Sequence, residues 1–177
     1  VATSTVTCEF GDKDHRTDGS WISPSSIVCS SPSHIPSIVT MKVSLNAQQF
    51  HMATTNFQYF APSTVVQVNP KSGSTRGGTR VRVQCTNLLP SKKMKCRFGE
   101  LGMVSATYID ASTAICITPS APREGAVQIE IANNGIDFIE SGTMFTYYAP
   151  IKITDVLPKS GPVTGGTLLT LTGVGFV

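Results

Sequence analysis

Five cysteines are the residues of this 177-residue chain whose chemistry depends most on their partners. Cys8 and Cys29 lie 21 positions apart, and Cys96 and Cys116 lie 20 apart. Structural zinc sites use close ligand pairs, so this spacing fits zinc poorly. Disulfides and buried free thiols both remain open, and Cys85 is left over.

The other reactive side chains do not assemble into a catalytic site. His15, His34 and His51 are isolated, with no spacing to Asp, Cys or Ser that is typical of a triad or a metal cluster. Residues 72–78 read Ser-Gly-Ser-Thr-Arg-Gly-Gly but lack the Gly-Lys-Ser/Thr ending of a phosphate loop. We therefore expect surface histidines, a simple turn at 72–78, no cofactor, no metal and no enzymatic activity.

Composition narrows the class of protein. Charged residues make up 14% of the chain, about half of the usual share, and the formal net charge is +3. Such a weak charge does not predict nucleic-acid binding. No apolar run approaches 18 residues, so we expect no membrane span. The many Ser, Thr, Gly and Pro residues favour short strands joined by tight turns.

One decapeptide occurs twice. Residues 70–79, Pro-Lys-Ser-Gly-Ser-Thr-Arg-Gly-Gly-Thr, return at 158–167 with seven of ten positions identical. Cys8-Glu-Phe-Gly returns as Cys96-Arg-Phe-Gly, and Phe57-Gln-Tyr-Phe returns as Phe145-Thr-Tyr-Tyr. The spacing in each case is 88 residues, so the chain is a repeat protein with a period of about 88.

Within one period the pattern is that of short strands. Residues 79–84 and 127–131 alternate polar and apolar side chains, as half-buried strands do. Turn residues bound each segment, and Asn133-Asn-Gly135 is a hairpin signal. About seven strands in 88 residues indicate an immunoglobulin-like sandwich. The predicted strands of the complete period are residues 63–68, 79–84, 93–98, 104–109, 114–118, 127–131 and 143–148.

The order of the repeated motifs resembles the IPT/TIG family. Pro-x-Ser-Gly, Gly-Gly-Thr, Cys-x-Phe-Gly, Cys-x-x-Pro, Asn-Gly and Phe-x-Tyr follow one another as in that family. The family's immunoglobulin-like folds are shared by plexins, transcription factors and many secreted proteins. The resemblance covers essentially the whole chain and implies an all-β fold of tandem immunoglobulin-like (IPT/TIG) β-sandwiches.

The sequence departs from the family pattern at two places, and each departure leads to a structural prediction. Cys85 stands where the third copy has Gly173, a position that is usually small in the family. The first copy has a charged segment at residues 12–18 in place of the strand at 104–109. We expect a buried thiol at Cys85, with an intermolecular bridge as the alternative, and a solvated loop at 12–18.

The recurrence of the cysteine pairs predicts one disulfide within each copy, Cys8 with Cys29 and Cys96 with Cys116. Closing a loop of about 20 residues stabilises a domain by roughly 3 kcal/mol in the chain-entropy model. Disulfides persist in oxidising compartments, so an extracellular, secreted or cell-surface location is expected.

The phase of the repeat divides the chain into three parts. Residues 1–61, the first copy, carry the later strands of a sandwich. Residues 62–150, the central copy, contain every motif and form a complete sandwich. Residues 151–177, the terminal segment, carry the opening strands of a further one. The two ends are complementary halves of one fold.

Three interpretations fit this phase. The leading one is a non-enzymatic extracellular subunit that polymerises with itself head to tail, its terminal segment completing the first copy of the next chain. The second is an excerpt of a long IPT/TIG array in a receptor or adhesin stalk, and the third is closure of one chain on itself. The predicted donor residues are Ile151, Ile153, Val156, Leu157, Leu169 and Leu171, and the predicted acceptors are Ile38, Val39, Met41, Val43, Phe57 and Tyr59.

Basic side chains suggest where another partner could bind. Seven of them make one side of the central copy basic, and acidic glycans or another extracellular protein would suit it. A DNA-binding domain of a transcription factor and an accessory domain of a carbohydrate-active enzyme are further options, and paired cysteines argue against the former. The basic residues are Arg76, Arg80, Arg82, Lys92, Lys93, Lys95 and Arg97.

Overall fold

The computed structural model describes residues 6–176, and strands dominate it. The contacts divide the chain into two compact units, residues 1–61 and 62–177. The division falls between Ala61 and Pro62, where the repeat places the end of the first copy.

The first unit is a five-stranded antiparallel sheet in the order β3-β2-β1-β4-β5. β1 lies at the centre of this sheet and is buried along its whole length. Residues 12–18 are not a solvated loop throughout, because β2 begins at Arg16 and pairs with β1. The strands are β1 (Val6–Phe10), β2 (Arg16–Ser23), β3 (Ser26–Cys29), β4 (Ser37–Ser44) and β5 (His51–Tyr59).

The central copy contains eight strands hydrogen-bonded in one continuous order, β6-β8-β11-β10-β9-β12-β13-β7. All pairs are antiparallel except β7 with β13, which is parallel. The strands are β6 (Val65–Asn69), β7 (Ser72–Ser74), β8 (Arg80–Cys85), β9 (Lys95–Phe98), β10 (Met103–Asp110), β11 (Thr113–Ile117), β12 (Gly125–Ala132) and β13 (Met144–Tyr148), with a 3₁₀ turn at Gly99–Leu101.

The core of the central copy follows from period-two alternation. In β8, Val81, Val83 and Cys85 are buried, whereas the intervening side chains are exposed. They pack with apolar residues of β6, β9, β11, β12 and β13 in one cluster. The all-β, immunoglobulin-like sandwich prediction is therefore confirmed.

The Asn133-Asn-Gly135 turn has a different role from the one expected. Gly135 has a φ of 74°, and its N–H donates to the Ala132 carbonyl at 3.3 Å. The chain then runs through a loop to β13, which pairs with the other end of β12, from Gly125 to Gln128. The end of β12 next to the turn pairs with β9 instead.

The terminal segment forms a hairpin of β14 (Lys152–Leu157) and β15 (Thr170–Val174). Its register places Ile153 opposite Gly173 and Val156 opposite Leu171. The two strands pair with each other and carry mostly exposed side chains. No helix among residues 6–176 is long and apolar enough to cross a membrane.

Candidate functional site

Two disulfides hold equivalent places in the two copies. Cys8 of β1 bonds to Cys29 of β3, and Cys96 of β9 bonds to Cys116 of β11. The Cα–Cα distance is 6.4 Å in both, within the range that a disulfide spans. Each bond crosses the strand that lies between its two cysteines in the sheet, so it fixes a three-stranded unit.

Gly19 allows the first of these bonds to pack closely. A Cβ atom on Gly19 would lie 2.7 Å from the Cys29 sulfur and 2.7 Å from Val6 Cγ1. Both distances are far below van der Waals contact, so a side chain at this position would displace the disulfide or β1. In the central copy Ala106 takes the equivalent place opposite Cys116.

Cys85 is a buried free thiol, 5% exposed. Burial raises the pKa of this thiol to about 12, so it stays protonated at neutral pH. In the terminal segment Gly173 occupies the matching position, opposite Ile153 as Cys85 is opposite Val65. A Cβ at Gly173 would meet the Lys152 carbonyl, so the terminal segment, unlike the central copy, has no room for a side chain there.

The first copy carries a buried carboxylate between two cations. Glu9 is 5% exposed and accepts hydrogen bonds from Arg16 at 2.5 Å and from Lys42 at 2.6 Å. The hydrogen bond from Lys42 is the largest cause of a lowered pKa of Glu9, with Arg16 adding to it against the opposing effect of burial. The Arg16 guanidinium also lies 4.3 Å from the centre of the Phe50 ring.

The central copy has the same arrangement with the charges reversed. The Arg97 Nε donates to the Glu130 carboxylate at 2.5 Å, and the guanidinium lies 4.6 Å from the Phe138 ring centre. Glu130 raises the pKa of Arg97. The 88-residue offset aligns Glu9 with Arg97 and Lys42 with Glu130, so this alignment could have revealed the reversal in the sequence.

The histidines are not all isolated, contrary to expectation. The His15 ring contacts the His34 ring at 4.4 Å, and the His34 ring stacks on Tyr59 at 4.7 Å. His15 also contacts the Asp12 carboxylate at 2.8 Å. His51 lies apart from this cluster, in β5 opposite Val43. No group of three or more metal-ligating side chains occurs in the part of the chain that the structure describes.

The predicted donor and acceptor residues lie in two separate hairpins. β14 and β15 carry most of the donors, and β4 and β5 carry the acceptors. Ile38 is 66% exposed and Phe57 38% exposed, whereas Val39, Met41, Val43 and Tyr59 are half-buried. Val156 is half-buried too, and the exposed donors are Ile151, Ile153, Leu157, Leu169 and Leu171. Their assignment to an inter-subunit contact stays a prediction.

The basic residues of the central copy do not act alike. Arg80 and Arg82 occupy outward positions of β8, opposite Ile117 and Ile115 of β11, and both are exposed. Arg76, Lys92 and Lys93 are also exposed, and Lys95 is half-buried. Arg97 differs from the others, because Glu130 neutralises it.

Comparison with known families identifies this arrangement. Residues 1–59, 63–147 and 150–177 each match the IPT/TIG domain model. The chain belongs to the IPT/TIG domain family. The family matches therefore cover nearly all of the sequence, including the parts before and after the central copy.

Similar proteins include fibrocystin-L and several plexins. Human fibrocystin-L is 36% identical over 71% of this chain, and human plexin-A3 is 31% identical over 62% of it. A solved structure of the full extracellular region of plexin A4 superposes with a TM-score of 0.56 at 20% identity, covering 97% of this chain and 15% of that one. The chain spans only 3% of fibrocystin-L and 6% of plexin-A3.

Proposed function

We propose that the chain is part of a tandem array of IPT/TIG sandwiches in the extracellular portion of a cell-surface protein. There it serves as a non-enzymatic stalk and as a module for adhesion or binding. Three consecutive family matches along one chain are the observation that carries the proposal. On this basis residues 1–61, 62–150 and 151–177 belong to three successive sandwiches.

The disulfides support an extracellular location. Cys8–Cys29 and Cys96–Cys116 are both formed, and such bonds persist in oxidising compartments and are rare in the cytosol. The similar plexin A4 structure is that of an extracellular region. An IPT/TIG domain of a nuclear transcription factor would not need two such bonds.

The exposed cations of the central copy are the proposed binding surface. Arg80 and Arg82 project from β8 with no carboxylate within ion-pair distance among the described residues. Arginine suits bidentate recognition of carboxylate or sulfate groups. An acidic glycan or the acidic surface of another extracellular protein is the class of partner that fits.

Nothing in the fold or in the relatives supports the head-to-tail filament. That interpretation depended on the phase of the repeat, and an array of sandwiches accounts for the same phase. Analytical ultracentrifugation of the purified chain distinguishes the two. We expect monomers at micromolar concentration, and no change on deletion of residues 151–177. Long polymers that disappear on this deletion would favour the filament.

The location is tested with an antibody raised against the central copy. We expect it to label intact, non-permeabilised cells that express the natural protein, and to detect a polypeptide much larger than 18.8 kDa on a denaturing gel. An antibody against a cytosolic protein is the control for membrane integrity. Labelling that requires permeabilisation would overturn the proposed location.

A further inference from the structure

The reversed ion pairs occupy the same register in the two copies. β1 runs antiparallel to β4 with Glu9 opposite Lys42, and β9 runs antiparallel to β12 with Arg97 opposite Glu130. Every pair along these two ladders is related by the same offset of 88 residues. The two strand pairs are therefore structural equivalents, down to the individual residue.

The apolar positions beside the ion pairs do not distinguish one copy from the other. Each ladder has a cysteine opposite a β-branched aliphatic residue and a phenylalanine opposite a flexible or branched aliphatic one. Any of these pairs could be exchanged without placing a charge in an apolar site. The pairs are Cys8 with Val43 and Phe10 with Met41 in the first copy, and Cys96 with Ile131 and Phe98 with Ile129 in the central copy.

We propose that the reversed polarity of these ion pairs decides which strands pair, and prevents strand exchange between neighbouring copies. If β1 paired with β12, Glu9 would face Glu130, and both carboxylates are buried in their native places. If β9 paired with β4, Arg97 would face Lys42. Like charges directly opposite each other destabilise a strand pair, and a buried charge without its partner is costly.

The effect of an exchange would fall mainly on Glu130. Arg16 of β2 would still contact Glu9, because β1 and β2 pair within the same three-stranded unit. Among the described residues Arg97 is the one cation that pairs with Glu130, which is 4% exposed. Met103 occupies the place in the central copy that Arg16 has in the first, and it offers no charge.

Tandem arrays need such a feature. Neighbouring copies are covalently linked and fold at high mutual concentration, and misassembly between domains is a characteristic failure of repeat proteins. The same exchange between two chains would produce a domain-swapped dimer. Here one charged pair per ladder discriminates between copies, since no other pair in the two ladders would bring like charges together on exchange, Lys95 then facing Ser44.

The test gives the ion pairs of the two copies the same polarity. Arg97→Glu with Glu130→Lys gives the central copy the polarity of the first while keeping an ion pair in each. The full 177-residue chain is unfolded, reduced and refolded in a redox buffer at several protein concentrations. Size-exclusion chromatography with light scattering measures dimers. Cross-linking with a zero-length carbodiimide, followed by peptide mapping, reports which carboxylate lies beside which lysine.

We expect the variant to form exchanged species at least about fivefold more often than the wild type, since it no longer places like charges opposite each other after exchange. Dimers rise with concentration, and cross-links appear from Glu9 to the lysine at 130 and from the glutamate at 97 to Lys42. If only the Glu9–Lys42 and 97–130 cross-links form and dimers stay at the wild-type level, the proposal is wrong.

A matched control separates polarity from damage. It adds Glu9→Lys, Lys42→Glu and Arg16→Met to the same two substitutions, so the polarities oppose each other again and position 16 copies Met103. This variant carries five substitutions instead of two. We still expect its dimer level to return to within about twofold of the wild type, because like charges again oppose exchange. If it misassembles as much as the double variant, the charges do not control pairing.

Discussion

The first and central copies contain the same aromatic trio in very different surroundings. Phe10, Phe57 and Tyr59 make edge-on and tilted contacts at centroid distances of 4.9–6.4 Å. The equivalent residues of the central copy make edge-on contacts at 5.1 and 5.9 Å. Phe57 is 38% exposed, whereas its counterpart Phe145 is fully buried.

The difference comes from the strands that cover the trio. In the central copy β7 pairs with β13, and a Cβ at Gly73 would lie 2.9 Å from the Phe145 ring. The Tyr147 hydroxyl donates to the Pro119 carbonyl at 3.0 Å. The described residues of the first copy include no strands equivalent to β6–β8. Ladder register thus sets the geometry of the trio, while the opening strands determine its burial.

Replacing one phenylalanine of each trio by alanine should show the largest difference in stability between the two copies. Phe145→Ala removes a fully buried ring and should lower the free energy of unfolding of the central copy by about 3–5 kcal/mol. Phe57→Ala should cost about half as much or less, because its ring is already partly in water. In urea unfolding, circular dichroism follows both copies, and fluorescence of Trp21, the single tryptophan, follows the first. A transition seen by circular dichroism but not by Trp21 fluorescence therefore belongs to the rest of the chain. Equal losses in the two copies would contradict the assignment.

Removing the disulfides should instead affect both copies equally. Cys96 and Cys116 replaced by Ser, or Cys8 and Cys29 replaced by Ser, should each cost roughly 3 kcal/mol, because the closed loops differ by one residue. In urea, circular dichroism follows the loss in both copies, and Trp21 fluorescence isolates the loss in the first. A loss confined to one copy would show that the bonds are not equivalent.

Acid should destabilise the first copy through protonation of Glu9. Its folded-state pKa is lowered by Lys42 and Arg16, so its stabilisation is complete above the unfolded value of about 4.3. That contribution is lost as the pH falls through the lowered folded-state pKa. We expect the Trp21 unfolding midpoint in urea to fall between pH 5 and pH 3 by about 0.5 M or less. Lys42→Met should flatten this dependence; an unchanged pH profile would contradict the role of the pair.

The smallest effect is expected at Cys85. Its pKa of about 12 keeps the thiol protonated, so iodoacetamide at pH 8 should leave the native chain unlabelled. Unfolding without reductant should expose one reactive thiol, detected by mass. Cys85→Ala should change the free energy of unfolding by less than about 1 kcal/mol. Labelling at more than one cysteine in the unfolded chain would contradict the disulfides.

The sequence predicted the strands of the central copy well, because alternation and turn residues are local signals. Val81 and Val83, for example, alternate with exposed arginines and lie in β8 as expected. The exception is β7 (Ser72–Ser74), where turn residues suggested a simple turn and the short strand forms by pairing with distant β13. The prediction also failed at residues 12–18, where charged side chains suggested a loop. Arg16 instead begins β2, and its charge is accommodated there by Glu9 on the neighbouring strand β1.

Contacts between distant segments were harder to predict than strands. His15 and His34 approach each other because the β1–β2 and β3–β4 connections meet beside Tyr59, and no sequence spacing marks this. The ion pairs were visible in the 88-residue alignment, but charge at two positions does not by itself indicate burial. The Glu9–Lys42 and Arg97–Glu130 pairs became recognisable as buried, equivalent sites only when the ladders fixed their neighbours.

The parallel pairing of β7 with β13 has a mechanical consequence. β7 belongs to the opening part of the central copy and β13 to its last part, and Thr146 N–H and Thr75 N–H donate across the junction at 2.9 Å each. A pull on the two ends of this copy draws the strands in opposite directions along their own axes. The hydrogen bonds between them are then loaded together rather than one after another. We therefore expect this short strand pair to resist tension applied along the chain.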